Sequence, residues 1–294
     1  MKSFLHVNKS FLLFFLLLVI TGPVCGENWL QFKFDSRHSG NVPDRSIKTP
    51  LSLAGSVPMT DAVFTAPVIY EGKVYVVDGS GVAFCIDADS LEVIWKYVTS
   101  GGKRNNNNIS SPVISGRYLH FGTTTGIYYV LDAITGDVVK EIPCGEPVFS
   151  TPVAAGNRVY FATLGARVYA LEPNGDVCWT WDFVQDQLSF FDDRWNGQDW
   201  LKHKNDRVTW QDHFCCSRNI SMYGKTLVIP AGGRTSFIED KGGEPELLAI
   251  GLIPNYVGKE YPAAFGQSIG EDGKVYVQYH RRDNSGRVEI LQLG

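Results

Sequence analysis

Two adjacent thiols, Cys215 and Cys216, are the residues of this 294-residue chain that first invite chemistry. A bridge between neighbours is strained, because trans-linked Cα atoms lie about 3.8 Å apart while ordinary disulfides span about 4.4–6.8 Å. A vicinal disulfide here would mark a functional position. The other cysteines beyond residue 26 are Cys85, Cys144 and Cys178, an odd total that leaves one thiol free or paired with another chain. His203, Asp206, Asp212 and His213 stand near enough in sequence to gather around a metal. None of the strong ligand spacings is present, however: no His-Glu-x-x-His, no Cys-x-x-Cys pair, no EF-hand loop. Asp35 and Asp192-Asp193 read as solvated loop acids. His38 has no spaced His or Cys partner and is expected in a surface loop. Gly232-Gly233 and Gly242-Gly243 read as turns, with no helix behind them to hold a phosphate. No catalytic, metal-binding or cofactor-binding residue is assigned from spacing.

The second concentration of interest is aromatic. Phe190, Phe191, Trp195, Trp200 and Trp210 are interleaved with charges in residues 183–215. That mixture suits a recognition surface, where aromatics and Arg dominate binding energy. It equally suits a lid over a scaffold. Long insertions in a regular scaffold tend to carry sites, so the nature of the scaffold decides what this stretch can do.

The scaffold is a repeat. Ala66-Pro67-Val68-Ile69-Tyr70, Ser111-Pro112-Val113-Ile114 and Thr151-Pro152-Val153-Ala154 each open a copy. From Pro67 to Asp87, Pro112 to Asp132 and Pro152 to Glu172 the step is 20 residues each time. Copies start 45 and then 40 residues apart, the length of a four-stranded propeller blade. Runs such as Lys73-Val74-Tyr75-Val76 alternate as half-buried strands do, and Gly or Asp turns separate them. A degenerate fourth copy starts at Asn219, and a fifth at Gln267 runs to Leu293. The expectation is an all-β propeller of about five recognisable blades spanning residues 27–294, as a small ring or an incomplete one, with an insertion at 183–215. Leu51–Val57 reads as a terminal strand that pairs with the sheet of residues 264–293, since an open sheet edge invites aggregation.

The closing turns carry a specific resemblance. Ile86-Asp87-Ala88 through Trp95, and Leu171-Glu172 through Trp179, resemble the tryptophan-docking motif of the quinoprotein-type, or pyrroloquinoline-quinone-like, propeller repeat. In that family the Trp docks on a neighbouring blade. The resemblance therefore implies structural docking roles for Trp95, Trp179, Asp87, Asp132 and Glu172. The second copy keeps Asp132 to Gly136 but has Lys140 where Trp would stand. Trp29-Leu30-Gln31-Phe32 resembles the start of mature propellers of this kind. Quinone-dependent alcohol dehydrogenases, built on the same repeat, carry an adjacent-cysteine disulfide beside their cofactor. This chain has about half the length expected of them, and no acid and amide set aligns with their calcium site. Their catalytic residues carry over to no position here.

Residues 1–26 read as a signal peptide: Lys2 and Lys9, an apolar run from Phe11 to Ile20, then small residues before Glu27. Export to the periplasm or outside the cell follows, and membrane association enters only if Cys25 is lipidated. A net charge of −4 argues against a general nucleic-acid surface. Asn108-Ile109-Ser110 and Asn219-Ile220-Ser221 match the glycosylation sequon. The functional expectation is an exported, non-catalytic propeller that binds proteins or ligands without a cofactor. It resembles the propeller of the outer-membrane assembly lipoprotein, which implies partners among exported or envelope proteins. The alternative is a quinone- or metal-dependent oxidoreductase, or a remnant of one, using pyrroloquinoline quinone with calcium.

Overall fold

The computed structural model describes residues 27–101, 104, 107–196, 210–252, 263–280 and 286–292. Residues 1–26, expected to be a signal peptide and including Cys25, and Trp200, His203 and Asp206 of the insertion, lie outside the described residues. Each repeat folds as an antiparallel meander in chain order. Blade one is β1 (Val68–Tyr70), β2 (Lys73–Val77), β3 (Val82–Asp87) and β4 (Val93–Val98). Blade two is β5 (Val113–Ser115), β6 (Tyr118–Gly122), β7 (Ile127–Asp132) and β8 (Val138–Pro143). Blade three is β9 (Val153–Ala155), β10 (Arg158–Ala162), β11 (Arg167–Leu171) and β12 (Val177–Asp182). After the insertion comes blade four, with β13 (Ser221–Tyr223), β14 (Thr226–Ala231), β15 (Arg234–Asp240) and β16 (Pro245–Leu252). Blade five shows three strands among the described residues: β17 (Ala263–Ile269), β18 (Lys274–His280) and β19 (Gly286–Gln292).

The closing turns work as short polar side chains allow. Asp87 Oδ1 accepts from the backbone N–H of Asp89 and Ser90, and Asp132 Oδ1 from those of Ile134 and Thr135. The turn then feeds the fourth strand through a bulge at the same place in four blades: Cys85/Ile86, Val130/Leu131, Ala170/Leu171 and Phe237/Ile238. Trp95 docks onto blade two: its Nε1 donates to the Ala133 carbonyl at 3.1 Å. Its ring lies so close to Gly136 (φ +78°) that a Cβ there would sit 2.7 Å from it. Lys140 fills the same role without an indole. Its stem packs on Gly175 of blade three, and its Nζ pairs with Asp176 at 2.7 Å. Trp179 is buried in one core with Leu227 and Ile238 of blade four. Glu172 holds its turn through its backbone carbonyl, which accepts from Gly175 N–H.

The core is a series of inter-blade layers. Tyr75, Ala83 and Cys85 meet Leu119, Phe121 and Tyr129 of the next blade. Tyr128 then stacks on Phe161 at 3.8 Å, and Val228 and Phe237 meet Val275 and Val277. The segment ahead of blade one ties these layers together at the axis. Trp29 makes a two-bond bridge with Ile69 on β1, and the Leu30 carbonyl accepts from Ile114 on β5. The Gln31 amide bonds both backbone groups of Ala154 on β9. The Ser36 carbonyl accepts from Met222 on β13, and that of Arg37 from Ile269 on β17. Nine residues thus cross the inner strands of all five blades, which explains the Trp-x-Gln-Phe sequence.

Residues further on form a strap. Val57 and Met59 pack over Val76, Val82, Phe84 and Ile86, the face of blade one that turns away from blade two. The Asp78 carboxylate anchors the strap by accepting from Thr60 Oγ1 and Asp61 N–H. The expected pairing of Leu51–Val57 with blade five is therefore not made. These residues form no strand, and Leu51 and Leu53 are exposed. Val57 instead covers an apolar face on its own side of the array.

Candidate axial binding site

Ala66, Ser111, Thr151 and Asn219 hold one equivalent place, two residues ahead of an inner strand. Ala66 N–H donates to Ser111 Oγ at 2.9 Å, Ser111 N–H to Thr151 Oγ1 at 3.2 Å, and Thr151 N–H to Asn219 Oδ1 at 2.9 Å. Each blade is pinned by the next one's side-chain oxygen, and the belt fixes one end of the axis. The two sequons fall on this architecture. Asn108 is fully buried, and the half-buried Asn219 spends its Oδ1 on the belt.

Inside the belt lies a cavity of about 620 Å³. The axial segment contributes Phe32, Lys33 and His38 to its lining, and blades four and five add Arg218 and Gln267. Lys33 and Arg218 bring positive charge, and no carboxylate lines it among the described residues. His38 is 1% exposed, with its ring edge-on to Phe32 at 5.3 Å, and neither ring nitrogen has a hydrogen-bond partner. Burial, helped by the Lys33 charge and opposed by Asp35, lowers its pKa to about 4. The imidazole is therefore neutral at pH 7, with one donor and one acceptor to offer. This corrects the expected surface-loop position, and nothing in the sequence around His38 signalled it. Gln267 spends its Nε2 on Ser221 Oγ (2.8 Å) and the Val228 carbonyl (2.5 Å), while its buried Oε1 has no partner.

Cys215 and Cys216 are not joined to one another. They lead directly into Ser217 and Arg218 at the cavity. Cys216 N–H donates to the Leu164 carbonyl at 2.9 Å, and burial pushes its thiol pKa up, so it stays protonated. The insertion leaves the same end of blade three. Asp182 caps helix α1 (Phe183–Leu188) by accepting from Val184 and Gln185 N–H, and Phe183 and Val184 anchor it in the core. Helix α2 (Trp210–His213) leads back in. Of the expected recognition residues, Trp195 and Trp210 pack on each other (5.2 Å), and Trp195 packs on Phe214 (5.5 Å). Trp195 Nε1 donates to Glu146 at 2.8 Å, and Phe190 rests on the same core. Buried Arg194 pairs with Asp182 and donates to the Gly165 carbonyl. Phe191 alone of the described set is well exposed, at 74%. Most of the aromatics therefore hold the insertion down, and one is presented. Among the described residues no group of three His, Cys, Asp or Glu side chains gathers as a metal would need. Calcium takes six to eight oxygen ligands, carboxylates prominent among them; the cavity lining does not fit it.

Comparison with known proteins agrees with this architecture. The family model described as outer membrane protein assembly factor BamB matches residues 56–148 and 107–196. No curated protein sequence matches the chain. Among solved structures, the quinohemoprotein alcohol dehydrogenase from Comamonas testosteroni superimposes with a TM-score of 0.62 at 13% identity, over 91% of this chain and 49% of that one. A europium-containing methanol dehydrogenase gives a TM-score of 0.60 at 12% identity, over 89% and 56% of the two chains. BamB from Moraxella catarrhalis gives 0.42 at 14% identity, over 81% and 72%. The chain spans about half the length of the two dehydrogenases, and at these identities the likeness is one of fold. With the docking turns, the repeated bulge and the family match in agreement, residues 56–196 carry pyrroloquinoline-quinone-like repeats, and the chain has the fold of the quinoprotein-like β-propellers.

Proposed function

We propose that this chain is an exported binding propeller, which engages a partner protein or ligand at the end of the axis carrying the belt and the insertion, without chemistry of its own. One observation carries the reading: a rigid aromatic base of Trp195, Trp210 and Phe214 presents the exposed Phe191 beside Asp192 and Asp193. A fixed platform with one presented aromatic among charges is the anatomy of a recognition hot spot. Partners are expected among exported or envelope proteins, with membrane association if Cys25 is lipidated. The test is a pull-down from periplasmic extract with wild type and Phe191→Asp, both checked by circular dichroism. Loss of a specific partner from a folded variant supports the reading, and an unchanged partner set counts against it.

A second reading is a quinone-dependent oxidoreductase. The place of Cys215 and Cys216 next to Ser217 and Arg218 at the axial cavity favours it. Lys33 and Arg218 suit the carboxylates of such a cofactor, whereas the lining does not suit its calcium. Quinone-dependent dye reduction by the purified protein, lost in Cys215→Ser, would favour this reading over the first.

A further inference from the structure

We infer that the hollow where the insertion meets blades two and three takes an arginine side chain presented by a basic segment of a partner protein. The inference rests on the binding reading of this end of the propeller and supplies the chemistry of the partner. The hollow has a volume of about 330 Å³, at the small end of the roughly 300–1,000 Å³ of ordinary ligand sites. Phe191, Asp192 and Asp193 contribute to its lining, and all three are exposed, so a ligand in solvent reaches them without opening the fold. The aromatic base on which they stand is fixed by the Trp195–Trp210 and Trp195–Phe214 contacts.

The charge of the hollow is unbalanced. The Asp192 carboxylate makes no hydrogen bond or ion pair among the described residues. Asp193 Oδ1 accepts from a neutral donor, Trp195 N–H, at 2.9 Å. Glu146, also in the lining and 6% exposed, accepts only from the neutral groups Thr163 Oγ1 and Trp195 Nε1. Two guanidiniums line the hollow as well, but Arg167 and Arg194 both pair with Asp182. Three carboxylates are thus left without a cation. Buried Glu146 acts through the low-dielectric interior and adds to the field without touching the ligand. Such a field draws in a cation and repels an anionic surface. Among the described residues no three His, Cys, Asp or Glu side chains gather as a metal would need, which points to an organic cation. Phe191, at 74% exposure, then favours arginine. A planar guanidinium stacks on an aromatic face and forks onto carboxylates, whereas the ammonium of lysine is a compact, strongly hydrated point charge.

The experiment is isothermal titration of the full chain with the peptide acetyl-Gly-Leu-Arg-Leu-Gly-amide as probe. Saturable binding is expected. The same peptide with glutamine in place of arginine should bind about 10-fold more weakly, and with lysine about 3-fold more weakly. Added salt should weaken the arginine peptide and leave the glutamine peptide nearly unchanged. Asp192→Asn removes an exposed carboxylate that holds nothing in place. It should weaken the arginine peptide about 3-fold, with no effect on the glutamine peptide or on the melting curve of the free protein. No saturable binding, equal affinity for the arginine and glutamine peptides, or wild-type affinity in Asp192→Asn would each overturn the assignment. In the pull-down, a partner lost from Phe191→Asp but kept by Asp192→Asn would remove this inference and leave the binding reading standing. A partner set unchanged in Phe191→Asp would remove the binding reading, while peptide discrimination would still hold the hollow as a site for an organic cation.

Discussion

Blade one and blade five carry the same face and treat it in opposite ways. Tyr75 and Tyr276 stand in the same Gly-Lys-Val-Tyr-Val sequence. They also share a register, Val68–Tyr75–Cys85 in one blade and Ser268–Tyr276–Ile290 in the other. In blade one Tyr75, Ala83 and Cys85 are fully buried against blade two. Their counterparts Tyr276, Val288 and Ile290 are 40%, 65% and 58% exposed. The opposite face of blade one, which no blade precedes among the described residues, is covered by Val57 and Met59 of the strap. A repeat encodes the chemistry of its faces, but its neighbours decide whether that chemistry is buried.

The largest effect should come from the buried member of the pair. Tyr75→Ala should cost about 3–5 kcal/mol, the range for emptying an aromatic site in a packed core. Tyr276→Ala should cost less than about 1 kcal/mol, because much of that ring is already in water. Urea denaturation of both variants decides it. Equal costs would mean that the face of blade five is covered in solution and would break the comparison.

This contrast also marks how far the sequence was legible. The blades, their turns and the roles of Trp95, Asp87 and Asp132 were readable because period-2 runs and turn chemistry are local. The replacement of an indole by the Lys140–Asp176 pair was visible only as a missing Trp. Three features were not readable. The axial segment bonds four of the five blades through backbone groups, which every residue type carries, and blade three through the Gln31 side-chain amide. His38 became a cavity residue because of where that segment lies. The strap chose blade one over blade five on the strength of which apolar face it reached, and the alternation Leu51-Ser52-Leu53 is silent on that choice. In the aromatic insertion, composition could not separate Trp195 and Trp210, which hold it down, from Phe191, which it presents.

The strap can be loosened in two ways. Met59→Ala removes a partly buried side chain from the cover over Phe84 and should cost about 1–2 kcal/mol, below the range for a fully buried Met. Acid should act on the anchor. Burial of Asp78 raises its pKa, but hydrogen bonds from Thr60, Ser80 and Val82 outweigh it, and the folded value lies below the usual 3.8. A depressed carboxylate stabilises the fold above the unfolded pKa, and that contribution is lost as pH falls through the folded value. Thermal stability measured from pH 6 downward should therefore decline below about pH 4 more steeply in wild type than in Asp78→Asn. Parallel pH profiles would show that this carboxylate does not hold the strap.

The smallest effect on stability should come at the bare face, and it sharpens the comparison from the other side. Tyr276, Ile290 and Val288 line one surface of β18 and β19, Tyr276 facing Ile290 directly across the pair. An exposed apolar patch of this kind promotes association without contributing to the fold. Val288→Lys places a charge where the side chain is already in water, so folding free energy should move by no more than about 0.5 kcal/mol. Solubility should rise, since the patch is interrupted and the strand gains the kind of charge that protects edges. The check pairs a urea melt with light scattering on a concentration series. An unchanged melt with reduced scattering is the result expected of a bare face. A destabilisation on the scale of Tyr75→Ala would mean that Val288 is packed after all, and the two ends of the array would then be alike.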